Sequence, residues 1–327
     1  MEIRPFRALR FNKAVVGNTG QCISPPYDVI DADQQEQLYA TNQYNVVRII
    51  RGRKNASDNE SENEYTRAAD YLDNWIKAGA LKQDESETIY GYVQDFEING
   101  QTFHRLSFIA LAKLEEFGKI VRPHEQILKK PMQDRLNLQK ATKATFGLVF
   151  MIYDDRDGAA EKAIAKAATK EPLVELLDEQ QVLHRLFAIN DKNDIASISG
   201  MISRKSCIIA DGHHRYTTGL TYMKENPDNA AAKYQMICFV NSCHEGLIVL
   251  ATHRAVKNLG DFNAESLITG LKKNFDVTEY GYTSAGKKEE AMDKMLKHLK
   301  AEYKNNRNAF GIHAANKSFH VAVLKNA

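Results

Sequence analysis

The sequence predicts a mixed α/β fold, a mixed sheet core with helices packed against it, and three observations carry that reading. Tyr65, Ala68, Ala69, Leu72, Trp75 and Ile76 recur at helical spacing. Apolar and polar residues alternate with period two on both sides of Asn99-Gly100. The buried-strand pattern "SCIIAD" runs directly into "GHHRYTTGL", which reads as a helix.

Taken in order, the first segment is dense in turn signals. Pro25 and Pro26 fix φ and remove donors, so residues 24–27 are expected to be extended or turned. "YNVVRII" (44–50) reads as a short strand. "RGRKNASDNESENE" (51–64) has no apolar residue beyond Ala56 and reads as a solvated loop running into a helix start. The helix from Tyr65 is expected to stop at Gly79. Residues 81–113 read as a hairpin, because Asn-Gly tolerates the positive φ values of a type I′ turn. That hairpin is expected to pack near the "VRPHE" loop that follows.

Next come a loop over 118–131, a helix over 132–143 and a strand over 147–153. Residues 158–183 suggest helix with a break at Pro172. Strands are expected over 184–190, 206–211, 234–240 and 246–252, with "RYTTGLTYMKEN" a helix after the second. Helices over 263–274 and 286–302 and strands near 276–281, 309 and 319–324 complete the chain. Length suggests two lobes, 1–155 with the hairpin and the "VRPHE" loop, and 156–327 with "DGHHR", or one integrated domain.

Composition excludes several classes. The hydrophobic share of 43% and charged share of 26% are globular values. Net charge is +2 on 44 basic and 42 acidic residues, too balanced for a protein that lives by phosphate neutralisation on nucleic acid. No window approaches the roughly 18 apolar residues of a membrane span, and "MEIRPFRALRFNK" lacks the apolar stretch of a signal peptide. Cys22, Cys207, Cys238 and Cys243 form no C-x-x-C pair and read as thiols buried in a reducing compartment. A cytoplasmic protein with no membrane partner is expected.

Chemistry concentrates in polar clusters. At "IADGHHR", a buried strand passes into a helix whose first turn favours an anion. Gly212 permits close approach, Arg215 offers a planar donor fork, and Asp211 is placed to hold a metal or orient a histidine. His213 and His214 point about 100° apart on a helix, so at most one faces a given ligand. The competing reading makes Asp211 an N-cap and the histidines ordinary polar residues. "VRPHEQILKKP" gathers Arg122, His124, Glu125, Lys129 and Lys130 in one loop, a source of a base or a ligand or merely a solvated face. "SPPYD" contributes Tyr27 and Asp28, and "ATHRAV" contributes His253 and Arg254. No H-E-x-x-H, G-x-S-x-G or P-loop signature is present.

"ISPPYDVI", "VRPHE" with "KKPMQDR" and "KAT", "IADGHHRY" and "FVNSCHEGLIVLATHRAV" resemble the successive motifs of the prokaryotic family catalogued as domain of unknown function 1015. The likeness covers residues 4 to about 260 and is looser beyond, and it implies more chain after Ala327 than is present. "DGHHR" is also similar to the signature of the ParB/sulfiredoxin group, which includes free-serine kinases. That resemblance implies a ParB/sulfiredoxin-like element in which Gly212, His213, His214 and Arg215 line a nucleotide phosphate site and Asp211 lies beside metal or substrate. Sulfiredoxin's catalytic cysteine falls on His213, so sulfinic-acid reduction is not implied, and ParB's DNA-binding helices have no counterpart.

The leading expectation is a nucleotide-dependent phosphotransferase, a small-molecule kinase acting on a hydroxyl-bearing metabolite with ATP or ADP and Mg²⁺. In it Glu125 is the base, with His124 the alternative. Asp211 positions Mg²⁺, and Arg122, Arg254, Tyr27 and Asp28 meet the substrate. The alternatives are a metal-dependent hydrolase using Asp211, His213, His214, His124 and Glu125, and a non-enzymatic nucleotide-binding regulator.

Overall fold

The computed structural model describes residues 1–98, 100–124, 129–250, 253–314 and 317–325. The chain divides into two units, Met1–Val249 and Leu250–Ala327.

The first unit starts with β1 (Ile3–Arg4), β2 (Leu9–Phe11) and a helical turn, α1 (Lys13–Val16). Helix α2 (Ala32–Thr41) begins at Asp31, whose side chain accepts from the Gln34 N–H. Residues 47–50 are helical, as α3 (Val47–Ile50), where strand propensity suggested otherwise. Asn45 accounts for this, because its side chain accepts from the Val47 N–H and donates to the carbonyls of Gln21 and Ile23. Those local bonds outweigh the weak preference of a few β-branched residues.

Helix α4 (Glu64–Lys77) opens with a capping box between Asn63 and Thr66 and gives way at Gly79, whose φ is 71°. Its apolar face, Ala68, Leu72 and Trp75, packs with Phe11, Tyr44 and Tyr71. Strand β3 (Leu81–Gln83) pairs with β2. Strands β4 (Ile89–Ile98) and β5 (Gln101–Lys113) form the expected hairpin, Ile98 facing Gln101 and Gly100 at φ 76°. Asn99, on which the turn type rests, lies outside the described residues.

There follow β6 (Val121–Arg122), α5 (Lys129–Thr142), β7 (Val149–Tyr153) and α6 (Ala159–Ala167). The helix expected over 158–183 ends at Ala167, and Pro172 leads into a strand, β8 (Val174–Leu177). Proline favours extended backbone before it, which suits a strand start. Strand β9 (Leu183–Ile189) precedes α7 (Lys192–Ile202), a helix absent from the sequence reading although Asp191 caps it through two N–H groups. Then come β10 (Cys207–Asp211), α8 (His213–Glu225) and β11 (Tyr234–Asn241). Residues 246–250 form no strand, and Val249 is 86% exposed. Ala251 and Thr252, the rest of that expected strand, lie outside the described residues.

The main sheet runs β6-β10-β7-β11-β5-β4-β9-β8, with β1 extending the pairing on β5. It is mixed: β6 is parallel to β10 and β7 to β11, and the other pairs are antiparallel. The division expected near residue 155 falls inside this sheet, since β7 pairs with both β10 and β11. Three strands also stand between β5 and β6, so the hairpin is not the neighbour of the VRPH segment.

Alternation sorts the side chains onto two faces. Phe108, Val149, Met151, Ile209, Ile237 and Phe239 pack with Ile164, Ile198 and Tyr216 from the helices. On the second face Tyr92, Ile109, Leu148, Phe150, Leu186 and Cys238 meet Phe6 and Leu247. Cys22, Cys207 and Cys238 are buried as expected, while Cys243 is exposed.

The second unit contains α9 (Ala264–Leu271), β12 (Phe275–Gly281), α10 (Ala285–Lys304), β13 (Ala309–Ile312) and β14 (Ser318–Leu324). Its sheet is β12-β14-β13, and Ala291 and Met295 of α10 pack on Phe319, Val321 and Val323. Among the described residues no helix is long and apolar enough to cross a membrane.

Candidate functional site

Sheet topology brings the sequence motifs to one edge. Strands β6 and β10 are parallel, with Val121 beside Cys207 and Arg122 beside Ile208, so "VRPH" and "DGHHR" leave the sheet together. Strand β7 is antiparallel to β10 and therefore enters at that edge, Asp211 facing Phe150. The register slips between Ile209 and Asp211, a local irregularity that re-aims the end of the strand.

Gly212 makes the turn into α8 at φ 91° and ψ 28°, a left-handed conformation that strains other residues. A Cβ there would come within 3.2 Å of Val149 Cα and of the Arg215 guanidinium carbon. No side chain caps the start of α8, and its first turn contains no acidic residue. Such a terminus carries a partial positive charge.

Arg215 is fenced by two glycines. Its Nη1 donates to the Leu148 carbonyl and its Nη2 to Asp211 Oδ2. A Cβ on Gly147, which sits at φ 76°, would lie 3.2 Å from Nη1. The Arg215 side chain is 18% exposed and that of Asp211 70%.

A second guanidinium stands close by. Arg135 of α5 donates to Asp134 Oδ2 through Nε at 2.9 Å and Nη2 at 2.6 Å. Its guanidinium carbon lies 3.9 Å from the centroid of the Tyr27 ring. Burial raises the Tyr27 phenol above its usual pKa, against the pull of Arg135 and Arg215. Arg135 and Arg215 line a cavity of about 20 Å³ with Thr145, Phe146, Thr218 and Gln235. That is room for about one water.

The histidines have separate tasks. His124 Nδ1 lies 2.6 Å from the Ile209 carbonyl oxygen, which can only accept, so Nδ1 carries the proton. In the neutral form of the ring Nε2 is the acceptor, and His124 is exposed. The His124 backbone N–H donates to His213 Nε2 at 3.2 Å, and the two rings meet edge to face at 4.6 Å. His213 is 4% exposed and clamps the VRPH segment onto α8. His213 and Arg215, two positions apart, point to roughly opposite sides of the helix, which takes one to β6 and the other to β7.

His214 is half-buried, and Arg122 and Asp28 are exposed. Arg254 belongs to the second unit. Glu125 lies outside the described residues. Among the described residues no group of three or more His, Cys, Asp or Glu side chains converges to hold a metal ion.

Arg135 escaped the sequence reading although it sits in the quoted "KKPMQDR" stretch. Its adjacent acid–base pair, Asp134-Arg135, was the available signal. A wider cavity, of about 540 Å³, lies elsewhere, on the second face of the sheet behind Ser24, Pro25 and Pro26. It is lined by Tyr92, Asp178 and His184, none of which stood out in the sequence. The α8 corner is the better candidate for anion chemistry because two guanidiniums line one cavity there, beside a helix start that no side chain caps. The wider cavity has mainly apolar walls.

No curated protein and no solved structure matches the chain. One family model does, and it spans residues 3–327, so the likeness continues through the last third, where the motifs are loosest. The chain belongs to the family described as "Protein of unknown function (DUF1015)".

Proposed function

We propose that the protein is a nucleotide-dependent phosphotransferase that acts on a hydroxyl-bearing small molecule. The observation that carries this is the gathering of Arg215, Arg135 and Tyr27 at the glycine-led start of α8. Phosphoryl transfer asks chiefly for positioning and charge neutralisation, and this corner offers both. The likeness of "DGHHR" to the ParB/sulfiredoxin group and its kinases supports the same reading.

In this reading the backbone of Gly212, His213 and His214 cradles the phosphates and the two guanidiniums neutralise them. His213 contributes its backbone, since its ring is buried against His124. His124 Nε2 accepts the substrate hydroxyl proton, and Glu125 is its neighbour in the chain. Arg122 and Asp28 are the candidates for contact with the rest of the substrate.

The donor set suits Mg²⁺ that arrives with ATP or ADP. Asp211 is an exposed carboxylate with one oxygen on Arg215, and Mg²⁺ is commonly held by one or two carboxylates and the nucleotide phosphates. Bound there, the ion would neutralise charge on the transferring group. Among the described residues Asp211 belongs to no group of three or more side chains that could hold a resident metal.

Calorimetric titration with ATP, ADP and CTP in the presence of Mg²⁺ tests the reading. Saturable binding that weakens in Arg215→Gln supports it, and absence of binding by any of the three overturns it. Consumption of bound nucleotide with a metabolite panel separates a kinase from a nucleotide-binding regulator.

A further inference from the structure

The second face of the main sheet carries a hydrogen-bonded chain that opens on the 540 Å³ cavity. Its anchor is Asp178, in the tight turn between β8 and β9. Asp178 Oδ1 accepts from the backbone N–H of Gln180 at 2.8 Å and of Val182 at 2.9 Å. The other oxygen, Oδ2, lies 2.9 Å from His184 Nε2. His184 Nδ1 in turn lies 2.6 Å from the Tyr92 hydroxyl.

Strand register builds this chain. Tyr92 of β4 faces Leu186 of β9, and His184 is two residues further along, so both rings project from one face. They stack with 13° between planes. The direction of each bond follows from the carboxylate. Asp178 can only accept, so His184 Nε2 donates; in the neutral form of the ring Nδ1 then accepts, and Tyr92 donates its proton to it. The Tyr92 oxygen is left with lone pairs to offer as an acceptor.

Burial raises the Tyr92 phenol and keeps it protonated. Burial also works to raise Asp178, but the His184 bond and the two backbone N–H groups outweigh it and hold the carboxylate low. Pro25, Pro26, Ile109, Leu148, Leu176 and Leu186 form apolar walls around this polar tip. The volume is that of a small-molecule site, which typically spans roughly 300–1,000 Å³ with few placed polar groups.

We infer that this cavity is a second ligand site, taking a small molecule with an apolar body and one hydroxyl group that donates to Tyr92. His184 and Asp178 are positioning residues that fix which way the Tyr92 hydroxyl points. The polar chain Asp178–His184–Tyr92 stands apart from the α8 corner, although Leu148 borders both, its carbonyl accepting from Arg215, and the site is tested without nucleotide.

The test is a fluorescence titration of the full chain with 2-naphthol and with 2-methoxynaphthalene, which has the same ring system but no donor. The hydroxyl compound is expected to bind about tenfold more tightly, the worth of one buried hydrogen bond. Tyr92→Phe is expected to erase that difference while leaving the affinity for 2-methoxynaphthalene within about twofold. Leu176→Trp, which adds bulk to one wall of the cavity, is expected to weaken binding of both. Equal affinity of the two compounds for the native chain, or binding of neither, overturns the proposal whether or not the variants fold. A preference that survives Tyr92→Phe overturns it as well.

Discussion

The guanidinium of Arg135 stacks on the ring of Tyr27, 3.9 Å from its centroid, while Asp134 grips the same guanidinium from the side. The contact joins the proline-rich N-terminal segment to α5 and fixes a cation beside Arg215. Tyr27→Phe keeps the aromatic face and is expected to leave nucleotide affinity within about twofold. Tyr27→Ala releases Arg135, and Arg135→Met removes the charge. Both are expected to weaken nucleotide binding by about tenfold, comparable to the loss of one cation–π or charge-assisted contact. Calorimetric titration distinguishes the three.

Gly212 and Gly147 both have positive φ, yet they differ in what surrounds them. An added methyl at Gly212 meets the Val149 backbone, whereas at Gly147 it meets the end of the Arg215 side chain. Gly212→Ala is expected to destabilise the protein by about 1–3 kcal/mol. Gly147→Ala is expected to cost less, because a side-chain tip moves more readily than a strand. Urea unfolding of the two variants gives the order.

His124 and His213 should separate in their effects. His124→Gln removes the exposed Nε2 and is expected to lower kcat by about 10²–10⁴-fold with little change in nucleotide KM. His213→Leu leaves the His124 N–H without its acceptor. The expected result is a loss of about 1–3 kcal/mol in stability. Steady-state kinetics and thermal unfolding read the two outcomes independently.

Asp84 provides a pH dependence of known sign. It accepts from Arg10 and from the Tyr90 hydroxyl at 2.6 Å. Burial works to raise its pKa, but these bonds prevail and hold it below the ordinary 3.8. A carboxyl lowered in the folded state contributes fully at neutral pH and loses that contribution as pH falls from its unfolded value through its folded one. The stability gap between native protein and Asp84→Asn is therefore expected to be constant above about pH 5 and to shrink below about pH 4. Urea midpoints measured across that range check it.

The β10–α8 corner is legible in sequence because hydrophobic period changes at Gly212, where strand pattern meets helix pattern. Its partners are less so. His124 reaches His213 only because β6 lies parallel to β10 across 86 residues of chain, and no local pattern encodes that pairing. Tyr92 and His184 look like ordinary strand residues until antiparallel register puts them on one face. Residues 44–50 mislead for the opposite reason: a single side chain, Asn45, overrides the propensity of its neighbours.

The position of β11 shapes how the chain assembles. It lies between β7 and β5 and contributes residues 234–241. During synthesis, the flanks of β5 and β7 that it will cover wait more than eighty residues for their partner. Exposed strand edges invite pairing with other chains, and distant pairings form slowly. The nascent protein thus passes through a long interval with two open ladders, and shielding by a chaperone would matter most before Asn241 has left the ribosome.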